Sequence, residues 1–252
     1  EIRSFGNAEL SVSSLDEWAD HLFISSESFT EPTSLYYANA DKDFKKIKSL
    51  PEKFDPEKYK VEQLYATSAD GTEIPYFQVS NVGMEANSSN PTLLYGYGGF
   101  QISLTPSYLG SFARQWLDAG GVYVIANIRG GGEFGPEWHQ SALKENRQRA
   151  YDDFIAVGET LISTGVTSSE HLGIRGGSNG GLLVGAVVAQ RPDLFNAVIC
   201  AVPLLDMYRY DKLLAGASWV DEYGDPDNPE EWSFISKYSP YQNVFADKNY
   251  PE

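Results

Sequence analysis

The chain has 252 residues, 42% of them hydrophobic and 13% aromatic, which allows a sizeable buried core and excludes a disordered segment. A formal net charge of −16, with no basic cluster to break it, opposes phosphates and anionic lipid surfaces, so neither nucleic acid nor a membrane is an expected partner. The single cysteine, Cys200, excludes an internal disulfide and, in the apolar run AVICAV, reads as a buried, inert thiol.

The opening residues, EIRSFGNAEL, lack the basic and apolar regions of a signal peptide, and no apolar run reaches the length of about 18 residues that a membrane span needs. The cytoplasm is the expected compartment, with the periplasm left open. ADHLFISSESF and TSLYYANA then read as short strands, and FKKIKSLPEKFDP, with its charges and two prolines, as a linker. Strands so few cannot bury both faces, so residues 1–52 are expected to be part of something larger. A second domain is expected over residues 53–252. It begins with YKVEQLYATSADGTEIPYFQVS, two alternating runs around Asp70-Gly71 that predict a hairpin.

From Pro91 apolar strands alternate with helical stretches: PTLLYGY, SFARQWLDAG, VYVIANI, QRAYDDFIAVGETLIS, HLGIRG, LLVGAVVAQ and AVICAVPL. In the fourth, Tyr151, Phe154, Ile155, Gly158, Leu161 and Ile162 fall on one face at helical period. This alternation predicts an α/β fold, a doubly wound and mostly parallel sheet with helices on both faces and strands buried throughout. The acids of DEYGDPDNPEEW (221–232) read as a solvated loop or helix entrance. The final YSPYQNVFADKNYPE reads as the approach to another strand, so the sheet is expected to be incomplete at its C-terminal end, where it would otherwise leave an open apolar edge.

The chemistry concentrates at Gly176-Gly177-Ser178-Asn179-Gly180, a G-x-S-x-G between strand HLGI and helix GLLVGAVV. A strand-to-helix turn tight enough to expose a serine hydroxyl strains the serine backbone and crowds its neighbours, which is why glycines surround it. Such a serine needs a base. His21, His139 and His171 all precede it, whereas this architecture has the order serine, acid, histidine. His171 starts the strand leading to the serine, about 20 Å away along extended chain, and reads as a surface residue, and His139 as a packed or surface one. No residue convincingly plays the base.

Gly130-Gly131-Gly132-Glu133-Phe134-Gly135 satisfies G-x-G-x-x-G after VYVIANI, with Asp152 and Asp153 about twenty residues on, so a dinucleotide-binding oxidoreductase is a second reading. Pro136-Glu137-Trp138 is a poor helix start for a pyrophosphate. A P-loop motif is absent, and no His/Cys spacing supports a metal, so no cofactor is expected. The missing base motivates a third reading, a non-catalytic peptide-binding module.

LLYGYGGF, ANIRGGGEFG, GGSNGGLL, QRPDLF and ASWVDEYG, in this order and spacing, resemble the peptidase domain of the prolyl oligopeptidase family, strongly over about residues 55–252. Residues 1–52 resemble, more weakly, the end of the β-propeller that precedes it. The resemblance implies an α/β-hydrolase fold and a serine peptidase acting on short peptides on the carboxyl side of proline. It implies Ser178 as nucleophile and an oxyanion hole formed by the Tyr97 hydroxyl and the Asn179 backbone N–H. Phe100, Trp219 and Tyr223 would line the proline pocket, with Val202 and Leu204 in its wall and the Asn179 side chain near the substrate backbone. The family's catalytic aspartate and histidine have no counterpart in this sequence. The implied partners are short peptides and, as a separate chain, the segment that carries those two residues.

Overall fold

The computed structural model describes residues 5–18, 20–39 and 44–251, in two compact units: Glu1–Glu62, Val79–Met84 and Thr105–Gly120 form the first, and Gln63–Gln78, Glu85–Leu104 and Gly121–Glu252 the second. In the first, β1 (Ala8–Ser14), β2 (His21–Ser28), β3 (Ser34–Asn39) and β4 (Phe44–Ser49) make an antiparallel sheet in chain order, with Ile24 opposite Val12 on one side and Tyr36 on the other. β2 and β3 are the two strands read from the sequence.

The outer two strands depart from that reading. Residues 44–49 are strand rather than linker, because a strand at the sheet edge tolerates lysines that stay in water while its backbone pairs on one side only. Phe44 anchors it by stacking on Tyr36, ring centroids 5.0 Å apart. β1 carries little signal, since its Leu10 and Val12 remain exposed. Irregular chain follows β4, where Phe54 stacks on Tyr108 and the Lys53 N–H donates to the Tyr108 hydroxyl at 2.6 Å. Helix α1 (Gly110–Trp116) completes this unit.

A six-stranded sheet has the order β10-β9-β7-β8-β6-β5, built from β5 (Tyr59–Thr67), β6 (Glu73–Asn81), β7 (Thr92–Tyr95), β8 (Val122–Ala126), β9 (Leu172–Gly177) and β10 (Ala197–Ala201). β5 and β6 form a hairpin that turns at Asp70-Gly71, and the four strands from β7 to β10 are parallel. Leu94 of β7 lies between Val124 and Ile174, and all three are fully buried, as strands covered on both faces require. Short α2 (Pro136–Gln140) precedes α3 (Gln148–Ser163) and α4 (Asn179–Gln190); α4 packs on β9 and β10 and α3 beside it, and α5 (Val220–Tyr223) and α6 (Pro229–Tyr238) follow.

Three sequence expectations differ from the structure. β10 is not buried throughout: Ala197, Ile199 and Ala201 are exposed, since this end strand has α4 on one face only. Cys200 faces α4, its thiol 3.3 Å from the Gly181 carbonyl, and is half-buried rather than in the core. On α3 the buried stripe is rotated: Ile155 and Ile162 are partly exposed, while Ala150, Asp153 and Val157 lie inside with Tyr151, Phe154, Gly158 and Leu161.

Candidate active site

Ser178 stands at the junction of β9 and α4 with φ 57° and ψ −117°, a conformation that costs a non-glycine residue about 1–3 kcal/mol and persists only where its surroundings impose it. The surroundings are backbone. The Ser178 N–H donates to the Ala201 carbonyl at 3.0 Å, and its carbonyl accepts from Gly181 and Leu182 at 2.9 and 3.1 Å. A Cβ on Gly176 would sit 1.9 Å from the Gly180 carbonyl oxygen, so this flank of the corner closes only with glycine. Serine at the start of a helix usually caps it with its own hydroxyl. Here the side chain makes no cap hydrogen bond, and the residue is exposed.

Tyr97, which the loop after β7 carries, lines the same cleft as that serine. Burial pushes the Tyr97 phenol above its ordinary pKa, and the nearby Ser178 hydroxyl pulls the other way; the net rise keeps the phenol a donor at neutral pH. The Asn179 backbone N–H is at the first position of α4, where helix geometry provides no acceptor and the dipole favours negative charge.

A cleft of about 280 Å³ opens beside the serine, lined by Tyr97, Phe100, Ile102, Ser178, Leu204, Trp219 and Tyr223. Phe100 meets Trp219 and Tyr223 edge to face, at centroid distances of 6.4 and 5.7 Å. A second cleft of about 210 Å³ shares Ser178, Leu204 and Trp219 and continues along Val202, Leu213 and Leu214. Val202, 80% exposed, therefore lines the second cleft and not the first, whereas Leu204 and Trp219 face both. Among the described residues, seven non-glycines have positive φ, and Phe100, Ser178, Val202 and Leu214 of these line the two clefts. Backbone strain gathers where the chemistry would be.

Asn179 is placed differently from the substrate contact expected of its side chain. It is fully buried: Oδ1 accepts from Arg147 Nη2 at 2.5 Å and from the Tyr223 hydroxyl at 2.7 Å, and Nδ2 donates to the Tyr97 carbonyl at 2.5 Å. Arg147 in turn donates from Nη1 to Glu222 Oε1 at 2.8 Å. The acidic stretch 221–232 is thus not simply solvated, since Glu222 is 5% exposed. Sequence reasoning passed over both residues, because they lie 75 positions apart and carry no local sign of burial.

The three histidines go elsewhere. His21 bonds with the Tyr37 hydroxyl at 3.0 Å, His171 with the Ser168 hydroxyl at 2.8 Å, and His139 with Glu222 at 2.8 Å. The G-x-G-x-x-G run is explained by packing: a Cβ on Gly130, whose φ is 94°, would lie 2.4 Å from the Gly98 carbonyl oxygen, so the run presses on the loop that carries Tyr97. Asp211, Asp225 and Asp227 come within metal-holding distance of one another, and the Lys212 ammonium pairs with two of them, 2.8 Å from Asp227 and 3.4 Å from Asp211.

Residues 108–252, more than half of the chain, match the prolyl oligopeptidase family. An uncharacterised peptidase of Sinorhizobium fredii is 53% identical over 98% of this chain and 34% of its own length. A prolyl endopeptidase of Elizabethkingia miricola is 42% identical over 91% of this chain and 33% of its own. The solved structure of a post-proline cleaving enzyme from Rickettsia typhi superposes with a TM-score of 0.90 at 48% identity, over 97% of this chain and 35% of that one. The chain spans about a third of the length of these relatives. With the strained serine corner, Trp219 and Tyr223 carried on the matched residues and Tyr97 and Phe100 just before them, the chain belongs to the prolyl oligopeptidase family.

Proposed function

We propose that this chain supplies the nucleophile, the oxyanion site and the proline pocket of a serine peptidase that hydrolyses short peptides on the carboxyl side of proline. The single observation that carries the reading is Ser178, exposed on a strained corner with its side chain left free of capping α4 and facing the cleft that Tyr97 also lines. Its relatives among prolyl endopeptidases support the same reading. The two sheets fit an α/β-hydrolase domain over residues 53–252 preceded by the end of a β-propeller over 1–52.

Ser178 Oγ attacks the carbonyl carbon of the peptide bond while its proton leaves to a base. The carbonyl oxygen becomes an oxyanion that accepts hydrogen bonds from the Tyr97 hydroxyl and the Asn179 N–H. The tetrahedral species collapses to an acyl-serine and a free amine, and water completes the hydrolysis. Family resemblance gives the base's role to a histidine and aspartate without counterpart here, and no histidine of this chain is hydrogen-bonded to Ser178 among the described residues. A pyrrolidine ring brings no donor to the cleft and gains from flat apolar walls, which Phe100, Trp219 and Tyr223 provide.

Treatment of the full-length protein with a serine-directed phosphonate tests this. Peptide mapping should find the label on Ser178, and Ser178→Ala should abolish both labelling and cleavage after proline. Cleavage that survives the substitution would remove the peptidase reading.

A further inference from the structure

Beneath the cleft one carboxylate holds three groups at once. Glu222 Oε1 accepts from the Phe100 backbone N–H at 2.9 Å and from Arg147 Nη1 at 2.8 Å, and Oε2 pairs with His139 Nε2 at 2.8 Å. Arg147, 1% exposed, carries the connection onward to Asn179 Oδ1 and lies 5.2 Å from the centre of the Tyr223 ring, whose hydroxyl bonds the same Asn179 oxygen. A single buried anion is therefore linked to the backbone of one wall of the cleft, to the ring of another, and to the residue whose N–H adjoins the nucleophile.

Stability alone gives little reason for this arrangement. A buried ion pair roughly breaks even against apolar residues of equal volume, and this one leaves Arg147 Nε buried with no partner. What it does fix is geometry. Phe100 has φ 56°, a conformation that is a genuine outlier for a bulky side chain, and its N–H in that conformation points at Glu222. Without the carboxylate, nothing else on that N–H would hold the ring edge to face with Trp219 and Tyr223.

We propose that Glu222 is the positioning residue of the cleft. It locks Phe100 in its left-handed conformation and, through Arg147, keeps Tyr223 and the Asn179 turn in the relative placement that both proline recognition and oxyanion stabilisation require. It touches neither substrate nor reacting atoms. His139, its side chain 18% exposed, forms the outer edge of the network. The proposal deepens the peptidase reading and rests on it.

Glu222→Gln in the full-length protein is the test, since it keeps the volume and one acceptor but removes the charge facing Arg147. Rates are expressed per active site titrated with a phosphonate, so a smaller folded fraction does not enter. With a peptide carrying proline before the scissile bond, kcat should fall about tenfold or more while KM moves by less than about threefold, as befits an interaction realised in the transition state. The preference for proline over alanine at that position, measured as the ratio of kcat/KM, should fall about tenfold as well. If Glu222→Gln does not fold, His139→Phe, which removes only the contact on Oε2, is read by the same quantities and should lower each by about threefold. Values within about twofold of the parent in whichever variant folds would overturn the proposal. A parent whose cleavage survives Ser178→Ala would instead defeat the peptidase reading itself.

Discussion

Two arginines are buried in the same unit, each gripping a carboxylate, and they serve different ends. Arg129 meets Asp153 through Nε and Nη2 at 2.9 and 2.6 Å, and its own backbone N–H donates to the same carboxylate at 3.0 Å. The Ser68 hydroxyl adds a bond to Asp153 at 2.6 Å, and Nη1 reaches Asp70 at the tip of the β5–β6 hairpin at 2.5 Å. Every Nε and Nη of Arg129 has a partner, and none of these residues lines either of the two clefts at Ser178. Arg147 keeps an unpartnered Nε, and its bonds lead to Asn179 and Glu222 beside the serine. The saturated network staples hairpin, sheet and α3 together. The unsaturated one trades a hydrogen bond for placement of the cleft, which is where unsatisfied buried groups are expected.

The contrast can be broken from the Arg129 side first. Asp153→Ala leaves Arg129 buried without its main counter-charge and should destabilise the protein by about 3–5 kcal/mol in denaturant unfolding, with kcat per titrated active site unchanged. A similar stability with reduced turnover would mean that the two networks are not separate. Tyr97→Phe is the converse. It deletes the donor we propose for the oxyanion and should lower kcat by about 10²–10³, equivalent to about 2.7–4 kcal/mol at the transition state, while unfolding stays near that of the parent. Unchanged turnover would take Tyr97 out of the mechanism.

How much of this was legible in the sequence depends on the range of the interactions. β7, β8, β9 and α4 are runs in which each residue's neighbours in the chain announce its burial, and the serine corner is a motif whose context lies within a dozen residues. The edge strands β1 and β4 escaped, because exposed, lysine-bearing or serine-rich segments look like linker until a neighbouring strand is known. Phe100, Trp219 and Tyr223 came from family resemblance, since core packing explains an aromatic residue equally well. Arg147 and Glu222 left no trace: each sits among other charges, and only the fold brings them within 2.8 Å across 75 residues.

The smallest effect separates the staple from its outer link. Asp70 is 44% exposed, and Arg129 holds its carboxyl well below the ordinary carboxylate range, with burial opposing and the Thr72 hydrogen bonds assisting. A pKa depressed in the folded state stabilises above the unfolded value and loses that contribution as pH falls from about 4 toward the folded value. Because water screens so exposed a pair, the contribution is at most about 1 kcal/mol at neutral pH. Asp70→Asn should therefore lower stability slightly at pH 7 and leave it nearly unchanged near pH 2, as read by urea midpoints at the two values. The Asp153–Arg129 core of the staple, shielded from water, should be as well ordered in this variant as in the parent; a loss as large as that of Asp153→Ala would show that the hairpin tip carries the staple.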